Sequence, residues 1–587
     1  MHTRTKIICT LGPNTSSVEM ILKLAKAGMD VARINFSHGT HEEHLITINN
    51  IKEARKILKR PLSILLDTKG PEIRVGILKN NEIDLKTDQI VKLVRKEAKK
   101  DDEIPVFPCD VIDILKPNQK VLFDDGYITS SVVEVTKDYA TVKIENPGVL
   151  KNKKGINLPN AKLPLPAVTD QDILDLKFGC KNDIDIIAAS FIRSADHIKQ
   201  IRDILKEEKV NDVLVIAKIE SSEGVDNFEE IADAADGIMV ARGDLGVEVD
   251  LSLVPKLQKV MILKCYEACK PVVIATQMLE SMINNPRPTR AEVSDVANAI
   301  YDSAACVMLS GETAIGKYPI ETVTQMKKII HQTEIDFDYK NFFYKLSHTE
   351  YEDIATAVSI ATVKTAYSCS ASAIFAISKT GFTARLITRF RPKIPVIVLT
   401  NSIKRYNQLA FYWGIIPIFF ENWNNEREAF KIMSHYAINN NLISFGDLIV
   451  LISSFPFEKS NLTNLMVVES IGNILVRAYK GMGSLINAKI HKIISLDSIN
   501  EKDIKDKIVV LRKCLDSNLL LLKNVKGIIL QNSKIDTYSE NILLNFAAQK
   551  KIPIIIRAKN AFEILQDEEQ VYLDPQKAIV YKANDNS

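Results

Sequence analysis

The stretch DVARINFSHG (Asp30–Gly39), followed by THEEHLITINNIKEARKIL (Thr40–Leu58), decides the fold. A short β-branched run, Asp30–Asn35, gives way to a polar turn and then to the helical pattern Glu42–Leu58. The same unit returns up to about residue 335. Its strand-like runs are Lys6–Thr10, Asp30–Asn35, Leu62–Asp67, Asp185–Ser190, Val213–Glu220, Gly237–Arg242, Pro271–Gln277 and Ala305–Ser310, eight in all. Helical patterns fall at Val18–Ala27, Glu42–Leu58, Ala195–Glu208, Asn227–Ala234, Pro255–Ala268, Ala291–Asp302 and Ile320–Thr333. The strands are apolar on both faces, as a parallel sheet covered by helices requires. Eight strand–helix units are the count of a closed (β/α)8 TIM barrel, whereas an open doubly wound sheet usually has fewer.

One interval breaks the rhythm. From Gly70 to about Pro164 the pattern changes to alternating runs such as Lys120–Phe123, Thr129–Val135 and Ala140–Ile144, with turn signals at Asp124-Asp125-Gly126 and Asn146-Pro147-Gly148. This predicts a small β-domain inserted in a βα loop, where barrels carry function. A polar stretch, Glu334–Asp353, closes the barrel. A second α/β region follows, with strands near Ala373–Ser378, Val396–Thr400, Pro417–Phe420 and Asp447–Ser453, and a last α/β segment starts near Gly481. The expected division is a barrel over 1–70 and 165–344, a lid over 71–164, an α/β domain over 345–476 and an extension over 477–587.

Composition excludes several classes. The chain has 587 residues, 46% hydrophobic and 25% charged, which is globular and too long for one small domain. Its 76 Lys+Arg balance 73 Asp+Glu, so no basic footprint suggests nucleic acid or a membrane surface. No apolar run approaches the roughly 18 residues that cross a bilayer, and Met1–Ser17 lacks the apolar core of a secretory signal. The eight cysteines contain no CxxC pair and read as reduced thiols in a cytoplasmic protein. Cys265 and Cys269, spaced i, i+4 on an expected helix, lack the partners of a metal site and read as core.

Unusual polar residues collect where the barrel strands end, which in a barrel is one rim and the place of active sites. These ends read Arg33–Gly39, Asp67–Arg74, Lys218-Ile219-Glu220, Arg242–Gly246, Thr276-Gln277 and Ser310–Thr313. Glu220 and Asp244 offer hard oxygen ligands suited to Mg2+ or Mn2+. Arg33, Lys218 and Arg74 could neutralise phosphoryl oxygens. Gly243-Asp244 precedes an expected helix whose N–H groups could hold a carboxylate. Asn35, Ser37, Asp67 and Thr68 form an all-oxygen cluster with one full charge, a balance that suits a monovalent cation. Taken singly, each group is explained as a solvated edge or a helix cap. Six such strand ends together favour a joint site. Gly311–Lys317 has P-loop spacing, but Tyr318 stands where Ser or Thr is needed.

The same residues resemble the pyruvate kinase family over about residues 1–476. The match runs through Thr5-Lys6-Ile7 to Gly12-Pro13, Ala32–Gly39, Asp67–Arg74, Ala217–Glu220, Met239–Gly246, Ala275–Ser281 with Pro286–Arg290, and Ser310–Gly316 with Tyr318-Pro319. The resemblance implies phosphoryl transfer from phosphoenolpyruvate to ADP, giving pyruvate and ATP. It implies catalytic roles for Lys218, Arg33 and Thr276, with Lys218 stabilising the transferring phosphoryl group and the developing enolate. Arg33, Lys218, Gly243, Asp244 and Thr276 would bind the substrate, and Arg33, Asn35, His38, Arg74 and Lys154 the nucleotide. Glu220 and Asp244 would hold Mg2+, and Asn35, Ser37, Asp67 and Thr68 would hold K+. Glu72 matches the acidic position of K+-dependent members, where K+-independent ones carry Lys.

Further implications concern regulation and assembly. Ser378, Lys379, Thr380, Gly381 and Thr383 match a loop that binds a sugar-phosphate or nucleotide effector, with Ser453–Asn464 as the place of a second phosphate loop. A homotetramer is implied. Gly481–Lys582 resembles the swivelling phosphohistidine domain of phosphoenolpyruvate-utilising enzymes, but His491 is the last histidine of the chain, so a phosphohistidine relay is not expected. Two alternatives stand beside the kinase: a non-catalytic regulatory paralogue, and another phosphoenolpyruvate- or pyruvate-using barrel enzyme such as a carboligase.

Overall fold

The computed structural model describes residues 3–161, 165–347, 353–455, 462–494 and 500–582. The chain packs into two compact units, Met1–Ala357 with Ile377–Asn422, and Val358–Ala376 with Trp423–Ser587.

The first unit is built on a closed barrel of eight parallel strands: Lys6–Thr10, Val31–Asn35, Ser63–Asp67, Ile186–Ala189, Leu214–Ile219, Gly237–Ala241, Val272–Ala275 and Cys306–Leu309. Nearly every residue of these strands is buried, because one face fills the barrel and the other meets the helices. Ile64, Ile187, Ile238, Ile274 and Val307 all belong to this core. Register places polar residues side by side at the strand ends: Asn35 lies opposite Asp67, and Asp67 opposite Ala188.

Local sequence starts the helices on the rim side. Thr40, Thr169 and Thr289 each open a helix with a capping box, closed by Glu43, Asp172 and Glu292. Each satisfies backbone donors at both ends of the first turn, which fixes how the preceding loop enters its helix. The helix Asp170–Lys181 was not anticipated from the sequence. Its apolar periodicity is weak, and the capping box of Thr169 was its one clear signal. The helix Val254–Glu267 ends before Cys269, so the expected Cys265/Cys269 helical pair does not form. Cys269 instead takes a left-handed backbone at φ 55°.

After the third strand the chain leaves the barrel to form the inserted β-domain. Its main sheet pairs Ile90–Val94, Tyr139–Ile144, Ile128–Val135 and Lys120–Phe123 antiparallel in that order. It has its own core, with Val91, Phe123, Ile128, Val142 and Ile144 buried. Gly70 is the pivot of its entry. Its φ is +71°, and a Cβ there would lie 2.8 Å from the Ser190 side chain, so only glycine fits. The domain rests on the barrel rim, where Asn157 Nδ2 donates to Glu248 Oε1 at 3.0 Å.

Beyond the barrel, the first unit also holds the parallel pair Val396–Thr400 and Ile415–Phe419. In the second unit, Ala373–Ile377 pairs parallel with Leu448–Ser453, which pairs antiparallel with Leu465–Ser470, a strand absent from the sequence reading. The C-terminal region forms a mixed sheet from eight strands between Asn473 and Lys582. Among the described residues no helix is long and apolar enough to cross a membrane.

Truncating a barrel strand tests this core. Ile187→Ala should cost about 2–5 kcal/mol through lost burial and a residual cavity. It should read as a lower urea midpoint of the first unfolding transition with its slope unchanged.

Candidate active site

The rim is organised around one buried carboxylate. Asp67, at the end of the third strand, is fully buried. Its Oδ2 accepts from Arg33 Nε at 2.6 Å and its Oδ1 from Lys218 Nζ at 2.9 Å. Arg33 reaches back to donate to Thr10 Oγ1 at 2.8 Å. Lys218 Nζ also donates to Ser190 Oγ at 2.7 Å and lies 3.0 Å from Glu220 Oε1. Ser190 passes its own proton to the Thr68 carbonyl at 2.6 Å, and the Phe191 N–H donates to Glu220 Oε2 at 2.6 Å. Five strand ends thus meet in one hydrogen-bonded network.

Charge follows from this geometry. Burial alone would raise the Asp67 pKa, but Arg33 and Lys218 outweigh it and leave the carboxyl below its ordinary value. Burial likewise opposes the Lys218 ammonium, yet Asp67 and Glu220 hold its pKa above that of a free lysine. Both side chains are therefore charged at neutral pH. Glu220 and Asp244 differ: burial lifts both above the usual carboxylate range, with Asp244 adding to Glu220 and Asp125 and Glu72 adding to Asp244. Two carboxylates that resist ionising together are the donor set a divalent cation relieves. Among the described residues no group of three His, Cys, Asp or Glu side chains forms a complete metal cage. A cation here would complete its shell with substrate and water oxygens, as Mg2+ commonly does.

The seventh strand contributes strained backbone. Thr276 and Gln277 have φ of +67° and +54°, an arrangement that costs energy and recurs at functional sites. Thr276 Oγ1 accepts from the Gly243 N–H at 2.9 Å, and Arg242 holds the Thr276 carbonyl at 2.8 Å while pairing with Asp295. Gly243 and Asp244 do not precede a helix as expected; they lie inside its first turn, Arg242–Glu248. The Gly243 N–H is spent on Thr276, so the sixth and seventh strand ends are tied together. Glu312, fully buried, closes the seventh-to-eighth side by accepting from the N–H groups of Leu279 and Ser310.

The remaining sequence candidates fall around this centre. Asn35 stands beside Asp67 on the neighbouring strand, with its Oδ1 accepting from the Ser37 N–H at 3.1 Å. Thr68 Oγ1 accepts from the Ser190 N–H at 3.1 Å. His38 is exposed at the lip. Arg74 and Lys154 come from the inserted domain and are each tied to a carboxylate, Arg74 to Glu72 at 2.5 Å and Lys154 to Asp124 at 2.7 Å. Arg74 also donates to the Lys153 carbonyl, which sets the two cations next to each other. Ser378, Lys379, Thr380, Gly381 and Thr383 are remote from the rim in sequence and form the loop that opens the helix Phe382–Arg389. Gly381 takes φ +83° in that loop, and Lys379 and Thr380 are exposed. Half of the other loop candidate, residues 456–461, lies outside the described residues. Its flanks are joined by two hydrogen bonds between Asn464 and the Phe455 backbone.

Sequence reading missed Ser190 and Phe191 as working members of the rim, and placed Glu312 there without a role of its own. The signal was present in Ser190 at the end of the fourth strand, but an isolated serine carries no chemistry until Lys218 is seen to meet it.

Fold and site together define a (β/α)8-barrel protein with an inserted β-domain and a rim of interleaved cations and carboxylates. The pyruvate kinase barrel domain matches residues 2–323 and the pyruvate kinase alpha/beta domain residues 356–469. The pyruvate kinase of Staphylococcus epidermidis is 38% identical over 589 residues, covering 99% of both chains. That of Geobacillus stearothermophilus is 38% identical over 590 residues, 100% of this chain and 99% of the relative. That of Staphylococcus aureus strain MRSA252 is 36% identical over 587 residues. This chain belongs to the pyruvate kinase family.

Removing the central acceptor tests the network. Asp67→Ala leaves the buried Arg33 without its carboxylate and Lys218 with Glu220 alone, and should destabilise the barrel by about 3–5 kcal/mol, measured by urea unfolding. Wild-type stability would show that Arg33 and Lys218 do not depend on it.

Proposed function

We propose that this chain transfers the phosphoryl group of phosphoenolpyruvate to ADP, giving pyruvate and ATP. The observation that carries the reading is the buried Arg33–Asp67–Lys218–Glu220 network at the barrel rim. An oxygen of the ADP terminal phosphate forms the new P–O bond as the bond from phosphorus to the enol oxygen breaks. The enolate left behind takes up a proton at carbon to become pyruvate.

Arg33 binds the phosphoryl oxygens, and the Lys218 ammonium faces the charge that develops on them and on the enolate oxygen. Both are preorganised by Asp67, so little reorganisation is required as charge moves. Thr276 and the turn at Gly243-Asp244 receive the substrate carboxylate. Mg2+ (or Mn2+) bound by Glu220 and Asp244 supplies Lewis-acid neutralisation of phosphoryl oxygens. Asn35, Ser37, Asp67 and Thr68 bind K+. Arg33, Asn35, His38, Arg74 and Lys154 line the nucleotide side, so closing the inserted domain delivers cations and excludes water that would hydrolyse the phosphoryl group. The loop Ser378–Thr383 binds a phosphorylated effector, and the enzyme works in the cytoplasm as a homotetramer. The C-terminal extension acts as an assembly or structural module, since Glu540 and Asn532 there hold Arg557 in a closed polar cluster without histidine.

The direct test is pyruvate formation from phosphoenolpyruvate with and without ADP, in Mg2+, with K+ or an inert monovalent cation. Turnover that needs both ADP and K+ is expected; well-folded protein without turnover would favour the regulatory paralogue. Lys218→Met should lower kcat by at least about 100-fold while calorimetry shows ADP still binding. Glu72→Lys should place an ammonium beside the monovalent-cation cluster, and the ratio of turnover with and without K+ should fall towards one.

A further inference from the structure

At the opposite end of the barrel, where the seventh and eighth strands begin, the first unit contains a recess that the rim chemistry does not use. It holds about 390 Å³ of empty space and opens to solvent. Its polar lining is cationic: Lys270, Arg385, Arg389 and Arg391 face it, and no carboxylate lines it. Trp413 closes one wall.

Arg391 is the innermost cation, only 5% exposed. Its Nη2 donates to the Ser303 carbonyl at 2.5 Å and its guanidinium lies 4.4 Å over the Trp413 ring. These contacts leave its Nε without a hydrogen-bond partner among the described residues, and the buried Ser303 hydroxyl lacks one too. Burial pulls the Arg391 guanidinium down to about 10, and Glu334 is the one carboxylate among the groups that oppose this. Glu334 is already occupied by the backbone of Arg4 and Thr5. The carboxylates around the recess, Asp236 towards Lys270, Asp353 towards Arg389 and Asp302 paired with Lys259, lie outside its lining. A buried charge without a counter-charge is expensive, and unpaired buried donors add to that cost.

We propose that this recess is a binding site for a small tetrahedral oxyanion of the phosphate class, free or as the terminal group of a monoester. Arg391 and Ser303 form the inner wall, where a small shift of either side chain would turn a buried donor towards the ligand; Arg385, Arg389 and Lys270 supply charge at the mouth. The site is separate from the rim and does not depend on the reading of its chemistry. It touches the start of the seventh strand at Val272, whose other end carries Thr276, so occupancy has a direct mechanical route to the rim.

Trp413 makes the test specific, because the chain holds only two tryptophans, Trp413 and Trp423. In the full-length Trp423→Phe protein, Trp413 is the sole indole. Its emission is followed while inorganic phosphate or glycerol 3-phosphate is added at constant ionic strength, with chloride as control. A saturable change with either phosphate, absent with chloride, is expected. Tighter binding of glycerol 3-phosphate would assign the monoester and tighter binding of inorganic phosphate the free ion. In Arg391→Gln the apparent affinity should fall at least tenfold. Arg389→Gln, at the mouth, should weaken it too and serves if the first variant does not fold. No saturable change, the same change with chloride, or a response retained in the variants would overturn the site.

Discussion

A buried carboxylate that must hold two cations is the constraint on which this molecule depends. Asp67 has no access to water, so its charge survives only because Arg33 and Lys218 occupy both of its oxygens. The same pairing holds the Lys218 ammonium charged against the opposing effect of burial. Neither cation could be held there by a flexible loop. They stand at the ends of the second and fifth strands, the second paired directly with the third and the fifth one strand further on, beyond the fourth. Stability and reactivity are therefore coupled, since the interaction that prevents unpaired burial also fixes the donors of the site.

The loops around this centre are set by ordinary local rules. Threonine caps with acidic partners start the helices that leave the rim, and Gly70 lets the chain turn away from Ser190 into the inserted domain. That domain has a complete core of its own, so it can move as a body. Its contact through Asn157 and Glu248 lies one turn from Asp244, which joins lid position to the carboxylates suited to Mg2+. Glu248 is itself pushed towards protonation by burial, and Asn157 is the group that offsets this.

The two ends of the barrel solve opposite electrostatic problems. At the rim, cations and carboxylates are interleaved and nearly every buried donor has an acceptor. At the far end, Arg391 and its neighbours surround a recess with no carboxylate in its lining. A fold that pairs its charges so completely at one end gives weight to the buried Arg391 Nε and Ser303 hydroxyl at the other, which lack hydrogen-bond partners among the described residues.

The barrel was legible in the sequence because its signal is local and repeated: eight β-branched runs, apolar on both faces, alternating with amphipathic helices. So was the rim as a set of strand ends, since topology alone sends all of them to one face. Helix Asp170–Lys181 and strand Leu465–Ser470 escaped because their patterns are weak and their place is decided by packing. Which rim residues touch was also beyond the sequence. Asp67 meets Lys218 across 151 positions, and Ser190 gains a role only from the proton it accepts there. The far-end recess was invisible for the same reason, with Ser303 and Arg391 separated by 88 positions. Periodicity reports what a residue does to its near neighbours in the chain; pairing between charges on different strands is settled only when the strands take their places in the sheet.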